Sequence, residues 1–153
     1  MAHWLIKSEP DVFSIDHLAK VKREPWTGVR NYQARNYLRD GFKLGDRVLF
    51  YHSNADPPAV AGTAMVAREA YPDSTAWDKR SDHYDAKSTS ENPIWMMVDL
   101  RLEETFPAPI PLDRLRAVPA LAEMELLRKG SRLSVQPVRK KEFDAILKLA
   151  QKS

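Results

Sequence analysis

Residues 26–54, WTGVRNYQARNYLRDGFKLGDRVLFYHSN, constrain the fold more than any other stretch of this chain. A tryptophan in a glycine-bearing turn (Trp26-Thr27-Gly28) leads into a helix expected from about Tyr32 to Asp40. Asn31 is placed as its cap and Gly41 as its stop. A Gly45-Asp46 turn then starts an apolar strand, Arg47 to His52, so a short helix and a strand share one stretch and call for a mixed architecture. The same stretch sets groups that can read the edge of a flat heterocycle beside aromatics that can stack on its face. It has the make-up of a recognition pocket.

The flanking pattern agrees. His3 to Lys7 reads as a strand, Ser14 as the cap of a helix carrying Ile15, Leu18 and Ala19, and Glu24-Pro25 as the end of that region. A strand is expected from about Val60 to Ala70, with Gly62 marking a bulge or a close backbone approach. Residues 71–93 read as a long polar loop, of the kind that is usually functional or mobile. Ile94 to Phe106 reads as a strand broken by Pro107, Pro109 and Pro111. One helical turn (Asp113 to Ala117), a short helix (Ala120 to Leu127), a strand (Leu133 to Gln136) and a helix (about Arg139 to Gln151) follow. Phe143, Ile146, Leu147 and Ala150 share one face of that last helix, which should dock on the core. The expected fold class is α+β: a mixed, partly closed β-barrel flanked by short helices, in a single domain over 1–153.

The 153 residues contain no cysteine, which excludes disulfides and thiol chemistry. A charge and a proline come too early for a signal peptide, and no apolar run approaches membrane length, so a cytoplasmic protein with no membrane partner is expected. The net charge of +3 is mild, and its placement matters more. Arg30, Arg35 and Arg39 cluster in one place, and Arg128, Lys129 and Arg139 lie in another. Both sets are candidate phosphate contacts, weighed against ordinary solvated faces.

Trp4 and Trp95 lie in apolar strands and are expected in the core. Trp26 and Trp77 sit in polar turns, where a tryptophan can serve as a stacking platform, and Trp26 is the stronger candidate. Tyr32, Tyr51 and Tyr84 are candidates to complete an aromatic enclosure. Gln33, with Asn36 three residues on, can offer a donor and an acceptor to a base edge. The histidines form no metal-binding spacing, so no metal and no cofactor are expected. His52 and Ser53 are neighbours on a strand and point to opposite faces, which argues against a hydrolytic triad.

Trp4 with Lys7-Ser8-Glu9-Pro10, Trp26 through Asn36, Gly45-Asp46, Phe50 through Asn54, Tyr84-Asp85 with Lys87-Ser88, and Arg132 through Pro137 occur in one order along the chain. This ordered set resembles the EVE domain family, and it spans residues 4 to 137. The resemblance implies a PUA-like fold related to YTH and ASCH domains, and a pocket that accepts a modified base from DNA or RNA, cytosine derivatives first. It implies that the pocket draws on Lys7, Ser8, Trp26, Arg30, Asn31, Tyr51, His52, Ser53, Arg132, Leu133 and Ser134, with no catalytic residue. Two positions depart from the family's pattern in the loop: His83 replaces an aromatic and Ala86 a proline. The expected activity is non-catalytic binding of nucleic acid that contains modified bases, with Trp26 stacking and Asn31 and Ser53 on the base edge. A partner nuclease or another protein would supply avidity. The alternatives are a nucleic-acid hydrolase using His52 or Lys7 as acid–base groups, and a sensor of free nucleosides.

Overall fold

In the computed structural model, which describes residues 1–152, the first apolar run is strand β1 (His3–Ser8). Helix α1 (Ile15–Val21) follows, and Ser14 caps it reciprocally with His17. A short edge strand, β2 (Arg23–Pro25), was not expected from the sequence, because three residues are too few to show an alternation. Helix α2 (Tyr32–Asn36) is extended by a π turn, Tyr37–Gly41. Gly41 does end this region, but without a left-handed conformation. The Trp4 ring lies 2.6 Å from where a Cβ on Gly41 would stand, so the position is glycine to admit that ring.

Strand β3 (Arg47–His52) has the expected bounds. Its turn is fixed by Gly45 at φ +85° and by buried Asp46, which accepts from Trp4 Nε1 (3.0 Å) and from the Lys43 amide. Strand β4 (Ala59–Pro72) and strand β5 (Met96–Pro111) form a long antiparallel ribbon. Gly62 both marks a register shift and lies against the Glu104 carbonyl, as its strand position suggested.

The prolines do not break β5. Its outer neighbour β2 pairs only with Asp99 through Arg101, so the later residues have a partner on one side alone. Prolines, which lack a donor, are tolerated on such an edge. After α3 (Leu112–Arg116), the helix expected at Ala120 to Leu127 is two separate 3₁₀ turns, Pro119–Leu121 and Glu125–Leu127. Strand β6 (Val135–Val138) and helix α4 (Lys140–Gln151) complete the chain, and Phe143, Ile146 and Ala150 of α4 are buried.

The strands make one mixed six-stranded sheet in the order β2-β5-β4-β3-β1-β6, with β1 and β3 parallel and the other pairs antiparallel. The α+β class is as expected. Both faces of the sheet carry a core. On one, α1, α2 and the π turn cover Trp4, Ile6, Val48, Phe50, Val98 and Leu100. On the other, α3, α4 and the 3₁₀ turns cover Leu5, Leu49, Tyr51, Val60 and Ile110. No helix is long and apolar enough to cross a membrane, among the described residues.

Candidate functional site

A cleft of about 530 Å³ opens where β1 ends and β2 runs along the sheet edge, a size typical of ligand sites. Trp26 forms part of it. Glu24 pairs with Leu100 in the ladder, and the Trp26 amide donates to the Val98 carbonyl (2.7 Å), which extends the pairing one step past the strand. Alternation therefore turns Glu24 and Trp26 to the same face as Leu100 and Val98. The Trp26 ring is held edge-to-face with Phe13 (5.7 Å) and Phe50 (5.6 Å), so it joins the core while lining the cleft.

The opposite wall is a scaffold. Gly28 adopts φ +84°, and its amide donates to Asp73 (2.8 Å). The His83 imidazole lies 2.6 Å from where a Cβ on Gly28 would be, so a side chain there would displace the ring. Arg30 donates through Nη1 to Asp73 (3.0 Å) and through Nε and Nη2 to the His83 carbonyl (3.1 and 2.6 Å). Burial alone would raise the Asp73 pKa. Hydrogen bonds from Thr75, Gly28 and Arg30 outweigh it and hold the carboxyl below its ordinary 3.8. The Asp85 carboxylate accepts from Trp95 Nε1 (2.7 Å), and its amide donates to the Ala76 carbonyl (2.9 Å). His83 thus sits in a pinned wall, and Ala86 follows Asp85 in the same segment. Arg30 does border the cleft, but its guanidinium is spent on this wall. Its donors are taken up here by protein acceptors of this wall.

Several other expected residues are also engaged elsewhere. Tyr51 is buried in the second core, because alternation along β3 turns it away from Phe50. His52 Nε2 accepts the Ile15 amide (3.1 Å) at the start of α1, and burial lowers its pKa. Ser53 is half-buried, its amide donating to the Ser8 carbonyl (3.0 Å), and it lies outside the cleft lining. Ser8 does line the cleft, with its hydroxyl donating to the Phe13 carbonyl. Lys7 borders the cleft as well, but it is paired with Tyr51, and alternation sends its stem to that side of the sheet. Burial lowers its pKa, with Glu125 acting in the other direction. The Lys7 amide donates to the Ser134 carbonyl (2.9 Å), which brings Ser134 to the cleft.

Asn31, Gln33, Arg132 and Leu133 line a second hollow, of about 240 Å³, rather than the cleft. It adjoins the cleft: Arg30 and Asn31 are consecutive, as are Leu133 and Ser134, with one of each pair in either depression. Asn31 Oδ1 accepts the Ala34 amide (2.9 Å), so the carbonyl end of this side chain is the helix cap and not a base-reading group. Tyr32 is exposed, its ring tilted by 33° against Trp95 at 4.9 Å, and the Arg35 guanidinium lies 5.1 Å from the Tyr32 ring. Tyr84 is exposed outside the cleft lining. Trp77 is half-buried outside the cleft, with its Nε1 unpartnered among the described residues.

Of the expected phosphate contacts, Arg35 donates to the Ile94 carbonyl, Arg39 pairs with Asp40, and Arg139 pairs with Glu142 and Glu123. Arg128 is largely exposed beside Glu125, Lys129 is exposed, and the hollow brings Arg128 next to Arg132. Sequence reasoning missed Glu24, Phe13, Thr27 and His83 as cleft residues. For Glu24 the sequence held no local signal, because its face is set by the pairing of β2 with β5. No group of three or more His, Cys, Asp or Glu that could hold a metal occurs among the described residues.

Residues 2–149 match the EVE domain model. Human thymocyte nuclear protein 1 is 41% identical over 170 residues, covering 99% of this chain and 75% of that protein. A solved structure of human THYN1 protein in complex with 5-methylcytosine containing DNA superposes with a TM-score of 0.93 at 41% identity, covering 100% of this chain and 99% of that one. A Pseudomonas putida protein structure superposes with a TM-score of 0.94 at 47% identity, over 97% of this chain and 99% of that one. An ASCH protein of Zymomonas mobilis, 16% identical with a TM-score of 0.55 over 97% of this chain and 96% of that one, shares the PUA-like fold alone.

Proposed function

The chain belongs to the EVE domain family, and on that premise we propose that it is a non-catalytic reader of modified cytosine in DNA. The observation that carries this reading is Trp26, fixed edge-on by two aromatics and lining a ligand-sized cleft edged by polar groups. The human relative's complex with 5-methylcytosine DNA supports the same polymer and the same base class here. A base in a duplex must be extruded to reach such a cleft, at a cost of a few kcal/mol, and stacking on an aromatic returns about 1–3 kcal/mol. The exchange is close to balanced, so phosphate contacts supply much of the net affinity. Arg128 and Arg132, which line the second hollow, are the candidates for them. A strand leaving the cleft past the Leu133–Ser134 step would run by Arg128, Lys129 and Arg132.

One extra methyl adds only about 0.8 kcal/mol on burial, so selectivity for the modified base needs a shaped site. The hydrolase alternative relied on His52 or Lys7. His52 Nε2 is occupied by a helix amide, and Lys7, although it borders the cleft, is set by its pairing on the Tyr51 face of β1, so we favour the binding reading. RNA is a second arm of the test. The experiment is a titration of matched oligonucleotides, DNA and RNA, carrying cytosine or 5-methylcytosine, at two salt concentrations, with gel analysis of the recovered strands. The reading predicts tighter binding of the methylated DNA, a salt slope of about −0.9 per phosphate neutralised, and intact strands. Cleaved strands or released base would favour the hydrolase, and salt-independent capture of free nucleoside would favour the sensor.

A further inference from the structure

Glu24 is a carboxylate of the cleft whose acceptors the fold leaves unused. It lies in β2 two residues before Trp26, and pairing with Leu100 and Val98 sets both side chains on one face of the sheet, about 7 Å apart. Both line the cleft. Its flanking residues Arg23 and Pro25 point the other way and are exposed, while Glu24 is half-buried. Arg23, the nearest cation in sequence, is taken by Asp99 (2.9 Å). The Glu24 carboxylate makes no hydrogen bond or ion pair among the described residues. A half-buried carboxylate with unused acceptors is costly unless something donates to it, and burial indeed pushes its pKa up, Asp99 adding to the effect.

A base stacked on the Trp26 ring would lie about one two-residue strand repeat from Glu24, which puts its edge within reach of that carboxylate. A carboxylate accepts from the exocyclic amino group of cytosine, and it repels the carbonyl oxygen that thymine and uracil carry at the same ring position. We propose that Glu24 is the specificity residue of this cleft: its carboxylate accepts a hydrogen bond from the 4-amino group and makes the cleft select 4-amino over 4-oxo pyrimidines. This rests on the reading that the cleft holds a base stacked on Trp26. It adds which feature of that base is recognised, and by which atom.

Glu9 is the other carboxylate of the cleft, and it serves as the control. It is exposed at the rim, with Asn54 as a distant donor at 3.4 Å. Neutralising it changes the charge of the cleft by the same amount without removing an acceptor on the Trp26 side.

Thymine is 5-methyluracil, so 5-methylcytosine and thymine carry the same methyl group and differ on the hydrogen-bonding edge. The test places each opposite an abasic site in otherwise identical duplexes, which removes the base-pairing cost of extrusion. Binding of the full chain is measured by fluorescence polarisation for wild type, Glu24→Gln, Glu9→Gln and Trp26→Ala. Wild type should prefer 5-methylcytosine by about 5- to 100-fold, the worth of one good base-edge contact. Glu24→Gln, whose carboxamide can turn its NH₂ toward a carbonyl, should bring the ratio to within about twofold by gaining thymine affinity. Glu9→Gln should keep the wild-type ratio. A gain of thymine binding is not what loss of folding would produce.

An unchanged ratio in Glu24→Gln, with Trp26→Ala still weakening binding, overturns the assignment of Glu24 and leaves the cleft reading intact. An equal change in Glu9→Gln also overturns it, by showing a general effect of charge. Binding that Trp26→Ala leaves untouched overturns the cleft reading itself.

Discussion

One acid lines the cleft, another is buried behind its loop wall, and the two live under opposite conditions. Asp73, in the loop wall, is fully buried and accepts from Gly28, Thr75 and Arg30, which together hold its pKa down. Glu24, in the strand wall, is half-buried without a donor, and its pKa is pushed up. A satisfied carboxylate stabilises the fold, whereas an unsatisfied one is held at some cost by the rest of the fold and is free to meet a ligand. The cation Arg30 follows the same division. Its position suggested phosphate, and its hydrogen bonds make it part of the scaffold.

The largest effect should come from breaking the satisfied wall. Asp73→Asn leaves Arg30 without its counter-charge and should cost roughly 3 kcal/mol, discounted from a fully buried pair because the Arg30 side chain is 23% exposed. Urea denaturation reads this, and a loss under about 0.5 kcal/mol would show that the wall does not depend on the pair. Next, Trp26→Ala should weaken binding of a 5-methylcytosine oligonucleotide by about 1–3 kcal/mol. The measurement is a titration on protein whose circular dichroism shows it folded, and wild-type affinity would remove the stacking assignment.

His52 belongs with the satisfied class. Its Nε2 must be unprotonated to accept the Ile15 amide, and its folded pKa lies below 6.5. Its contribution is present above pH 6.5 and lost as pH falls through the folded value. A His52→Gln variant should flatten this part of the stability–pH curve, by about 1 kcal/mol for a single hydrogen bond. A curve identical to wild type would place the titration elsewhere.

The smallest effect sharpens the comparison through its sign. Glu24, with a folded pKa raised above 4.5, contributes stability that is fully present below 4.5 and lost as pH rises through the folded value. Asp73 behaves in reverse: its contribution is present above 3.8 and lost as pH falls through its folded value. Glu24→Gln should therefore leave stability at pH 7 unchanged or raised by less than about 1 kcal/mol, small because the group is largely solvent-screened. A clear loss on this substitution would mean that Glu24 is scaffold after all.

The sequence was most legible where one local rule decides the outcome. Ser14 and Asn31 as caps, Gly45-Asp46 as a turn, Gly62 as a bulge and β3 to the residue are all short-range chemistry. Trp26 was legible as a cleft residue because nothing near it in sequence could bury it. Tyr51 and His52 were misplaced although the alternation that parts them was in view. Knowing that two neighbours face apart does not say which face holds the cleft. The prolines of β5 misled for the same reason, since an edge position depends on how far a distant strand extends. Glu24 and the role of Arg30 were hidden because each depends on partners across the sheet or in the 73–88 segment.

The central claim is that a modified cytosine enters the cleft and stacks on Trp26, and a structure of this chain bound to a duplex with one 5-methylcytosine tests it most directly. The account predicts the methylated base turned out of the helix, lying on the Trp26 ring with its edge toward Glu24, while the backbone passes Arg128 and Arg132. A duplex bound with every base paired, or seated away from Trp26, would contradict it.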